Sequence, residues 1–450
     1  MTEGLVRVAV AVVCALAALG AAAAEKAEKA SRPNFVLCMT DDQGWGDMSY
    51  NGLKQIRTPA LDAMATEGLR LTRFYSAAPV CSPTRGSCMT GRHPNRYGCF
   101  LFGYPLRAEE ISIAQAIKPL GYATAHFGKW HLNGVSGPGK PIAGDDPLSP
   151  GRFGFDEWLS VSNFFDLDWT LSRRGTPETF KGDGSDYIVG EALKFIRQVT
   201  QQGKPFLAVV WFGNPHSPHR ALPRDREAAG SDYYGEILAI DRAMGRLRTE
   251  LRQMDLAQNT LLWFCSDNGA TGPGSTGGLR GKKGSLWEGG VRVPGLIEWP
   301  ARIKKPFVTA VPAVSSDVYP TILDILQRKV PNQVEPLDGI SLLPLIDGQM
   351  QQRPKPIGFW HYAPGKGDKG GRNGFGKDVG SAAWTDNRYK LHKIGPKNYE
   401  LYDLVADPTE SKDLSAGQPE IVARMKTELD AWQESVLKSY RGEDYPQRSR

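Results

Sequence analysis

The sequence predicts an α/β fold in which a doubly wound mixed sheet is flanked by helices, with a smaller C-terminal antiparallel sheet and a helix. Unbroken apolar runs at 33–40, 206–212 and 260–265 alternate with helical segments, as parallel strands covered on both faces do. Polar, glycine-rich segments follow these runs directly, which is typical of sheets that carry a site at the carboxyl ends of their strands.

Length and composition set the domain organisation. With 450 residues, 40% of them hydrophobic, the chain can bury a large core, and we expect a catalytic domain at 33–348 and a C-terminal subdomain at 349–450. The formal charge of +6 is mild and no Lys/Arg block concentrates it, so nucleic acid is a poor candidate partner. A mildly basic surface suits anionic small molecules or glycans.

The first 24 residues predict an export signal, followed by a linker at 25–32. Arg7 precedes an apolar run at 8–19, and small residues at 20–24 offer a cleavage site. A transmembrane anchor is the alternative, but the run is short for a span and dominated by Ala and Val, so cleavage is favoured. We therefore expect a periplasmic or secreted protein without an integral membrane span after cleavage.

Cysteine usage fits export but leaves a thiol over. Cys14 would leave with the signal, and five cysteines remain, an odd number. Export permits disulfides, yet five thiols guarantee that one has no intramolecular partner. The position of Cys81 singles it out.

The first strand ends in adjacent carboxylates, Asp41 and Asp42, followed by a glycine-rich segment at 43–47. Several oxygens converging at the end of a strand are what a hard divalent cation needs. A helix-capping loop with solvated acids is an equally good interpretation of this segment alone.

A strand at 71–75 is predicted to lead into Cys81-Ser82-Pro83-Thr84-Arg85, with a helix beginning just after Pro83. Cys81 would then lie near a helix N-terminus, where backbone N–H groups favour negative charge, either a thiolate or an oxyanion. A buried structural thiol at a tight turn is the alternative for this motif alone.

A helix at 111–120 precedes a strand at 122–127, which ends in Gly128-Lys129-Trp130-His131. Lys129 and His131 alternate, so at the end of an extended segment both can face one cleft. His126, inside the strand, is expected to be a core histidine.

Two later strands also end in polar groups. The run 206–212 leads to Pro215-His216-Ser217-Pro218-His219, where the prolines hold an extended loop from which both imidazoles can project. A surface histidine pair or a chance zinc site is the alternative. The run 260–265 leads to Asp267 and Asn268, which again offer metal oxygens, and then to a glycine-rich loop at 278–292. Its lysines form either a solvated surface or an anion clamp.

After residue 348 the pattern changes. Short strands at 357–362, 382–384, 389–394 and 399–402 predict an antiparallel sheet, followed by a helix at 419–440. The segment 365–381 between them is rich in Gly, Lys and Asp, and we interpret it as a mobile loop or a substrate lid.

Taken together, six motifs resemble those of the type I sulfatases, the arylsulfatase family. The resemblance covers the chain from 33 to about 414, in the family's order. The motifs are Asp41-Asp42, Cys81-Ser82-Pro83-Thr84-Arg85, Gly128-Lys129-Trp130-His131, Pro215-His216, Ser266-Asp267-Asn268-Gly269, and Lys283 ahead of Glu288-Gly289-Gly290.

The resemblance implies an alkaline-phosphatase-like fold and a particular site. Cys81 would be oxidised to formylglycine (3-oxoalanine) by a formylglycine-generating maturation enzyme that recognises the Cys-x-Pro-x-Arg pattern. The groups implied to hold one Ca²⁺ are Asp41, Asp42, Asp267, Asn268 and the modified residue 81. Those implied to surround the sulfate are Arg85, Lys129, His131, His216 and Lys283. Lys282 competes for the last position, and the spacing to Glu288 favours Lys283.

The resulting expectation is an exported sulfatase that hydrolyses sulfate esters, with a sulfated carbohydrate as substrate. The aromatic residues Phe164, Phe165 and Trp169 are candidates for a sugar subsite. His216 or Lys283 would protonate the leaving oxygen and His131 would take a proton, roles that the sequence leaves open. Alternatives are a phosphodiesterase or phosphonate monoester hydrolase on the same scaffold, and a non-catalytic binder of sulfated glycans.

Overall fold

The structure is a computed structural model that describes residues 32–365 and 374–445. The predicted export signal and the linker up to residue 31 lie outside the described residues, as does 366–373 of the predicted mobile loop.

The described residues form seventeen strands and ten α-helices. The strands are β1 (Asn34–Thr40), β2 (Leu69–Leu71), β3 (Phe74–Tyr75), β4 (Ala123–Lys129), β5 (Glu157–Val161), β6 (Thr170–Arg173), β7 (Thr176–Thr179), β8 (Phe206–Trp211), β9 (Thr260–Ser266), β10 (Arg292–Val293), β11 (Gly295–Glu298), β12 (Phe307–Thr309), β13 (Ala313–Val314), β14 (Ile357–His361), β15 (Ser381–Thr385), β16 (Tyr389–Gly395) and β17 (Asn398–Asp403). The helices are α1 (Pro59–Glu67), α2 (Cys81–Thr90), α3 (Ile113–Ile117), α4 (Gly184–Gln201), α5 (Pro223–Ala229), α6 (Asp232–Gln253), α7 (Glu288–Val291), α8 (Val318–Ile325), α9 (Leu343–Ile346) and α10 (Pro419–Tyr440).

A ten-stranded mixed sheet organises the molecule, in the order β12-β2-β11-β9-β1-β8-β4-β5-β6-β7. Its centre, from β9 to β5, is parallel, and antiparallel strands extend it on both sides. The carboxyl ends of β9, β1, β8 and β4 therefore lie side by side along one edge. The predicted doubly wound mixed sheet is confirmed.

Both faces of this sheet are covered, which explains the apolar runs. In β1, Phe35, Leu37 and Met39 pack on one face with α2, α3 and α8, whereas Val36 and Cys38 pack on the other with α1, α4 and α6. Successive side chains of a strand point to opposite faces, so a strand buried on both needs no polar alternation.

Two predicted elements between 71 and 120 are wrong in detail. The single strand expected at 71–75 is two strands, because the chain turns between β2 and β3: β2 belongs to the large sheet and β3 to a three-stranded sheet, β10-β3-β13. The helix expected at 111–120 is α3 followed by a 3₁₀ turn at Lys118–Leu120, since Pro119 provides no N–H to continue the α-helix.

The C-terminal antiparallel sheet, ordered β14-β15-β16-β17, and α10 are present as predicted. One face of the sheet packs on α10 through a cluster that includes Trp360, Leu391 and Leu429. The other face packs on the large domain, where Phe359 meets Tyr75 and Val314. The small sheet is thus a layer between the large domain and its own helix.

None of the helices that the structure describes has both the length and the apolar character needed to cross a bilayer.

Candidate active site

Helix α2 begins at Cys81 itself, whereas the predicted start was just after Pro83. Val80 is extended, Cys81 opens the helix, and Pro83 lies in the first turn, where a missing N–H costs no helical hydrogen bond. The side chain of Cys81 is 1% exposed. Its Sγ lies 3.5 Å from Oδ1 of Asp41 and 3.9 Å from Oδ1 of Asp42.

The two aspartates come directly after β1 and meet the groups that follow β9. The Asp42 amide donates to Oδ1 of Asp267 over 3.1 Å, and Asn268 Nδ2 donates to Oδ1 of Asp42 over 2.7 Å. Asp42 has φ of 65°, a left-handed conformation that a residue with a Cβ adopts only when its surroundings fix it. The parallel pairing of β1 and β9 brings these side chains together.

Three cations neutralise three carboxylates at this edge of the sheet. Arg85 donates twice to Oδ2 of Asp267, over 3.0 and 2.7 Å. Nζ of Lys129 lies 2.6 Å from Oδ2 of Asp41, and Nζ of Lys283 lies 2.6 Å from Oδ1 of Asp42. The site is electrically balanced as it stands, so a divalent cation would leave it able to attract an anion.

Burial and these pairs shift the pKa values of the site. Burial alone would raise the pKa of Asp41, but Lys129, His216 and Arg85 more than offset it and hold that pKa well below its usual range. Burial, then the charge of Asp41, raises the pKa of Asp267. Burial also raises the pKa of the Cys81 thiol, so an unmodified Cys81 remains protonated at neutral pH.

His131 is 1% exposed, yet its ring nitrogens make no hydrogen bond to any residue that the structure describes. Burial first, and then the charges of Lys129 and Arg85, lower its pKa well below the usual value, which leaves a neutral imidazole. The extended conformation expected here is wrong, because His131 has φ of 55°. The charges of Lys129, Arg85 and Asp41 all act on the His131 ring, so it lies near the cluster.

His216 lies at the mouth of the site, with a side chain 16% exposed and Nε2 3.7 Å from Oδ2 of Asp42. The ring of Phe164 stacks on it, with centroids 4.4 Å apart. His219 does not join the cluster. Its Nδ1 faces Glu236 at 3.4 Å, and its ring contacts Tyr233.

Lys283, rather than Lys282, is the lysine that the structure brings to Cys81. Its Nζ lies 3.5 Å from Sγ, and its side chain is 18% exposed. Lys282 instead donates to the carbonyl oxygens of Gly272 and Gly274. We call Cys81, Arg85, Lys129 and His131 the floor of the site, and His216 and Lys283 its rim.

The donor groups fit a hard cation. Ligand atoms of Asp41, Asp42, Cys81 and His216 all lie within 4.8 Å of one another. Oδ1 of Asn268 is buried and has no partner among the described residues, so it is free to be a ligand. Asp267 lies at the edge of this group, with one oxygen bonded to Arg85 and the other to the Asp42 amide. Carboxylate and amide oxygens are the ligands that Ca²⁺ prefers.

Two supporting residues, Trp211 and Ser82, had no role predicted from the sequence, and one candidate is wrong. Trp211, at the end of β8, lies under the guanidinium of Arg85 at 5.1 Å from its ring centroid. Ser82 accepts a hydrogen bond from the Gly103 amide, which fixes the loop beside Cys81. Both looked like ordinary core or loop residues in the sequence. Phe165 cannot line a subsite, because it is 1% exposed and packs in the core.

The five cysteines that the structure describes are all buried, and none is bonded to another. Apart from Cys81 they lie in the core, where burial raises the pKa values of Cys38, Cys88, Cys99 and Cys265. Their thiols are therefore protonated at neutral pH.

Comparison with protein families gives two matches. The family model Sulfatase matches residues 33–327, and the model N-sulphoglucosamine sulphohydrolase, C-terminal, matches residues 281–435. The second match begins inside the loop that carries Lys283.

Comparison with individual proteins agrees. The chain is 30% identical to the steryl-sulfatase of Mus musculus and 30% identical to the ulvan-active sulfatase of Formosa agariphila, and each alignment covers 89% of this chain and 80% of the relative. Among solved structures, that of Ps i-CgsB in complex with k-i-k-neocarrahexaose has a TM-score of 0.79 at 25% identity. That match covers 92% of this chain and 98% of the other.

Proposed function

The chain belongs to the sulfatase family of sulfuric ester hydrolases, and from this premise we propose that it is an exported enzyme that removes sulfate from a sulfated carbohydrate. We propose further that residue 81 acts as formylglycine and that one Ca²⁺ completes the site. The observation that carries the proposal is the position of Cys81. It opens a helix, inside an intact Cys-x-Pro-x-Arg motif, between two carboxylates and a lysine.

The chemistry of sulfate esters favours an aldehyde at this position. A hydrated aldehyde supplies one hydroxyl to attack sulfur and a second hydroxyl whose deprotonation expels sulfate and restores the carbonyl. A thiol or serine ester lacks that exit. We propose that a formylglycine-generating maturation enzyme converts Cys81 before the chain folds, because the folded chain leaves the residue 1% exposed.

Asp41, Asp42, Asp267, Asn268 and residue 81 are the groups that we propose as calcium ligands. A bound Ca²⁺ would stabilise negative charge on the sulfuryl oxygens and on the attacking oxygen. The unpartnered Oδ1 of Asn268 and the two carboxylates after β1 support this assignment.

The cations of the site would stabilise the transition state, in which negative charge spreads over the sulfuryl oxygens. Arg85 and Lys129 form buried ion pairs with Asp267 and Asp41, and Lys283 on the rim pairs with Asp42. Removing one such group from a catalytic site generally costs about 3 kcal/mol, roughly a hundredfold in rate.

We assign the two proton transfers to different residues, one on the floor of the site and the other on its rim. His131 is neutral and unpartnered on the floor, so we assign it the proton whose removal expels sulfate. His216 and Lys283 lie on the exposed side, where the alcohol leaves, and we assign them to the leaving oxygen.

A carbohydrate substrate is supported by the relatives and by the rim. One relative is named as active on ulvan, and one similar structure was solved with a neocarrahexaose. In this chain Phe164, stacked on His216, presents a half-buried ring at the mouth of the site, and Trp169 lies next to it. Aromatic faces beside a polar centre are typical of sugar subsites.

The first test is peptide mass spectrometry across residue 81, on protein from its native host or made with a maturation enzyme. Formylglycine is expected, together with release of sulfate from members of a panel of sulfated glycans. An unmodified thiol in native material, with unhindered sulfate release, would overturn the mechanism. Faster turnover of a phosphonate ester or a phosphate diester than of any sulfate ester would overturn the substrate class.

Calcium is tested separately by thermal unfolding with and without a chelator. A ligand present at 100 times its dissociation constant stabilises the folded state by about 2.7 kcal/mol, so chelation should lower the melting temperature measurably. The variant Asp42→Asn should lose most of this response. A chelator that changes neither stability nor activity would argue against the metal.

A further inference from the structure

The loop that carries Lys283 consists mostly of turns and bends up to residue 287. We call residues 279–290 the lysine loop. Gly281 and Gly284 both have positive φ. Beside Lys283, two hydrogen bonds join the backbone to other segments, from Lys283 to the Ala270 carbonyl and from Gly284 to the Pro79 carbonyl, and Ser285 closes a turn on the Lys282 carbonyl. Nζ of Lys283 also pairs with Asp42 over 2.6 Å. A long, flexible side chain keeps that position over residue 81 only if its backbone is held in place.

The C-terminal end of the lysine loop is held by a buried ionic cluster. Nζ of Lys390, on β16, lies 3.2 Å from Oε1 of Glu288 and 2.9 Å from Oε1 of Glu410. The backbone N–H of Glu288 donates to Oε2 of Glu410 over 2.6 Å, and the Tyr75 hydroxyl donates to Oε2 of Glu288 over 3.0 Å. The three charged side chains are 0% exposed. We call Glu288, Lys390 and Glu410 the junction cluster.

The other end of the lysine loop is held from the same sheet. Arg280 donates to the Tyr402 hydroxyl on β17 and to the Glu410 carbonyl, each over 3.1 Å. Its guanidinium lies 3.5 Å from the ring centroid of Trp287, which contacts His392 on β16. Both ends of the lysine loop therefore contact the C-terminal sheet. A hydrogen bond from the Gly289 amide to the Arg280 carbonyl joins the two ends to each other.

Stability alone is a poor reason for such a cluster. Burying three ionised groups carries a large desolvation cost, and well-packed apolar side chains are often at least as stabilising. Ion pairs instead fix distances and directions between the groups they join. Burial lowers the pKa of Lys390, but Glu410 and Glu288 more than offset this, so the lysine stays charged.

We propose that Lys390, Glu410 and Arg280 are positioning residues for Lys283, so that the C-terminal sheet holds the rim of the active site in place. This inference rests on the proposed function, in which Lys283 contacts the reacting sulfate ester. It assigns the C-terminal subdomain a part in the rate of the reaction although none of its described residues belongs to the cluster around Cys81.

A double-mutant cycle tests the proposal. Lys390→Met should lower kcat/KM for a small aryl sulfate by about 10- to 100-fold, since a misplacement of about 1 Å can cost 10²-fold. In the Lys283→Ala background the same change should have little further effect, because effects transmitted through one residue are not additive. Rates are normalised to the formylglycine content, measured by peptide mass spectrometry.

Arg353→Met is the matched control. Arg353 makes a buried bidentate ion pair with Asp317, and this pair also joins the C-terminal region to the large domain. Neither residue has a hydrogen bond or ion pair to the lysine loop in the part of the chain that the structure describes. It should destabilise the protein while leaving kcat/KM of the folded fraction within about twofold.

Arg280→Met keeps the test decisive if Lys390→Met does not fold. Arg280 is exposed, so its loss should leave folding intact and still lower kcat/KM about tenfold, again only when Lys283 is present. Equal effects with and without Lys283 would overturn the positioning role. An inactive, formylglycine-containing wild type would instead overturn the proposed function.

Discussion

On the floor of the site Cys81, Arg85 and Lys129 are at most 1% exposed, whereas the side chains of His216 and Lys283 on the rim are 16% and 18% exposed. The floor residues sit on α2 and at the end of β4, and their positions follow from hydrogen bonds of the sheet. The rim residues sit on loops that other parts of the chain must support.

This difference separates two ways of building a catalytic geometry. A charge fixed at the end of a central strand cannot be removed without disturbing the fold, because its partner is left buried. A charge on a partly exposed loop costs less to remove, because water can reach the position it leaves and partly solvate the partner, here Asp42. We therefore expect floor substitutions to lower stability and activity together, and rim substitutions to lower activity with a smaller loss of stability.

The largest effect is expected on the floor, at the nucleophile. Cys81→Ala should lower kcat by more than about 10⁴-fold, because loss of the attacking group leaves only binding and electrostatic assistance. Cys88→Ala, two turns later on the same helix and also buried, is the matched control and should keep most of the activity. Steady-state rates on an aryl sulfate decide between them, and appreciable turnover by Cys81→Ala would refute the assignment.

Lys129→Met tests the coupling of activity and stability on the floor. Its removal leaves the Asp41 carboxylate without a cation that lies 2.6 Å away, at 0% exposure for both side chains. Breaking a buried pair costs about 3–5 kcal/mol, so the free energy of unfolding should fall by that order. Chemical denaturation measures it, and kcat/KM should fall by about 10² at the same time.

Lys283→Ala makes the contrasting measurement on the rim. We expect kcat/KM to fall by about 10². The free energy of unfolding should fall by less than in Lys129→Met, because water can reach the partly exposed position of Lys283 although its partner Asp42 is buried. Lys282→Ala, one residue earlier in the chain and bonded only to loop carbonyls, should change neither quantity much. Equal losses of stability in Lys129→Met and Lys283→Ala would remove the distinction between floor and rim.

The last prediction concerns a buried histidine away from the site and has no expected effect on the rate of the reaction. Burial lowers the pKa of His93 from 6.5 to about 3. Between pH 6.5 and 3 the unfolded chain therefore binds a proton at His93 that the folded chain does not. The free energy of unfolding falls as the pH is lowered through this range, and His93 has no such effect above about pH 6.5. His93 also caps a helical turn by accepting from the Asn95 amide, a role that asparagine can fill.

Denaturation of wild type and His93→Asn across this pH range measures the contribution. The wild-type slope should exceed that of the variant by up to about 1.4 kcal/mol per pH unit. Parallel slopes would mean that His93 takes up a proton in the folded state. His93 has no part in the proposed mechanism. Its pH dependence therefore provides a reference for the effect of burying His131.

Much of the site was predictable, because the sequence shows both the types of polar residue and the strands that they follow. Asp41 with Asp42, and Asp267 with Asn268, each follow an apolar strand, and parallel strands end at one edge. The choice of Lys283 over Lys282 agrees with the structure, although both lysines fit the motif's composition. The assigned catalytic and metal-binding roles remain predictions.

The rest depended on contacts between distant segments. Nothing local distinguishes the 71–75 strand from two strands in different sheets, because the choice depends on pairing with β11 and β10. Phe164 and Phe165 look alike in the sequence, but Phe164 stacks on His216 whereas Phe165 packs in the core, a difference that only contacts with distant segments decide.

The sequence by itself determined the fold class, the edge of the sheet that carries the site, and the groups that meet there. These follow from hydrophobic periodicity and from polar residues at strand ends, both of which are local. Only the tertiary structure decided how the rim is held. Lys390 and Glu410 are about a hundred residues or more from Glu288 in the chain, and their charges are paired only because the C-terminal sheet folds back against the lysine loop. An isolated buried charge would be too costly to keep, so the pairing exists only in the assembled fold.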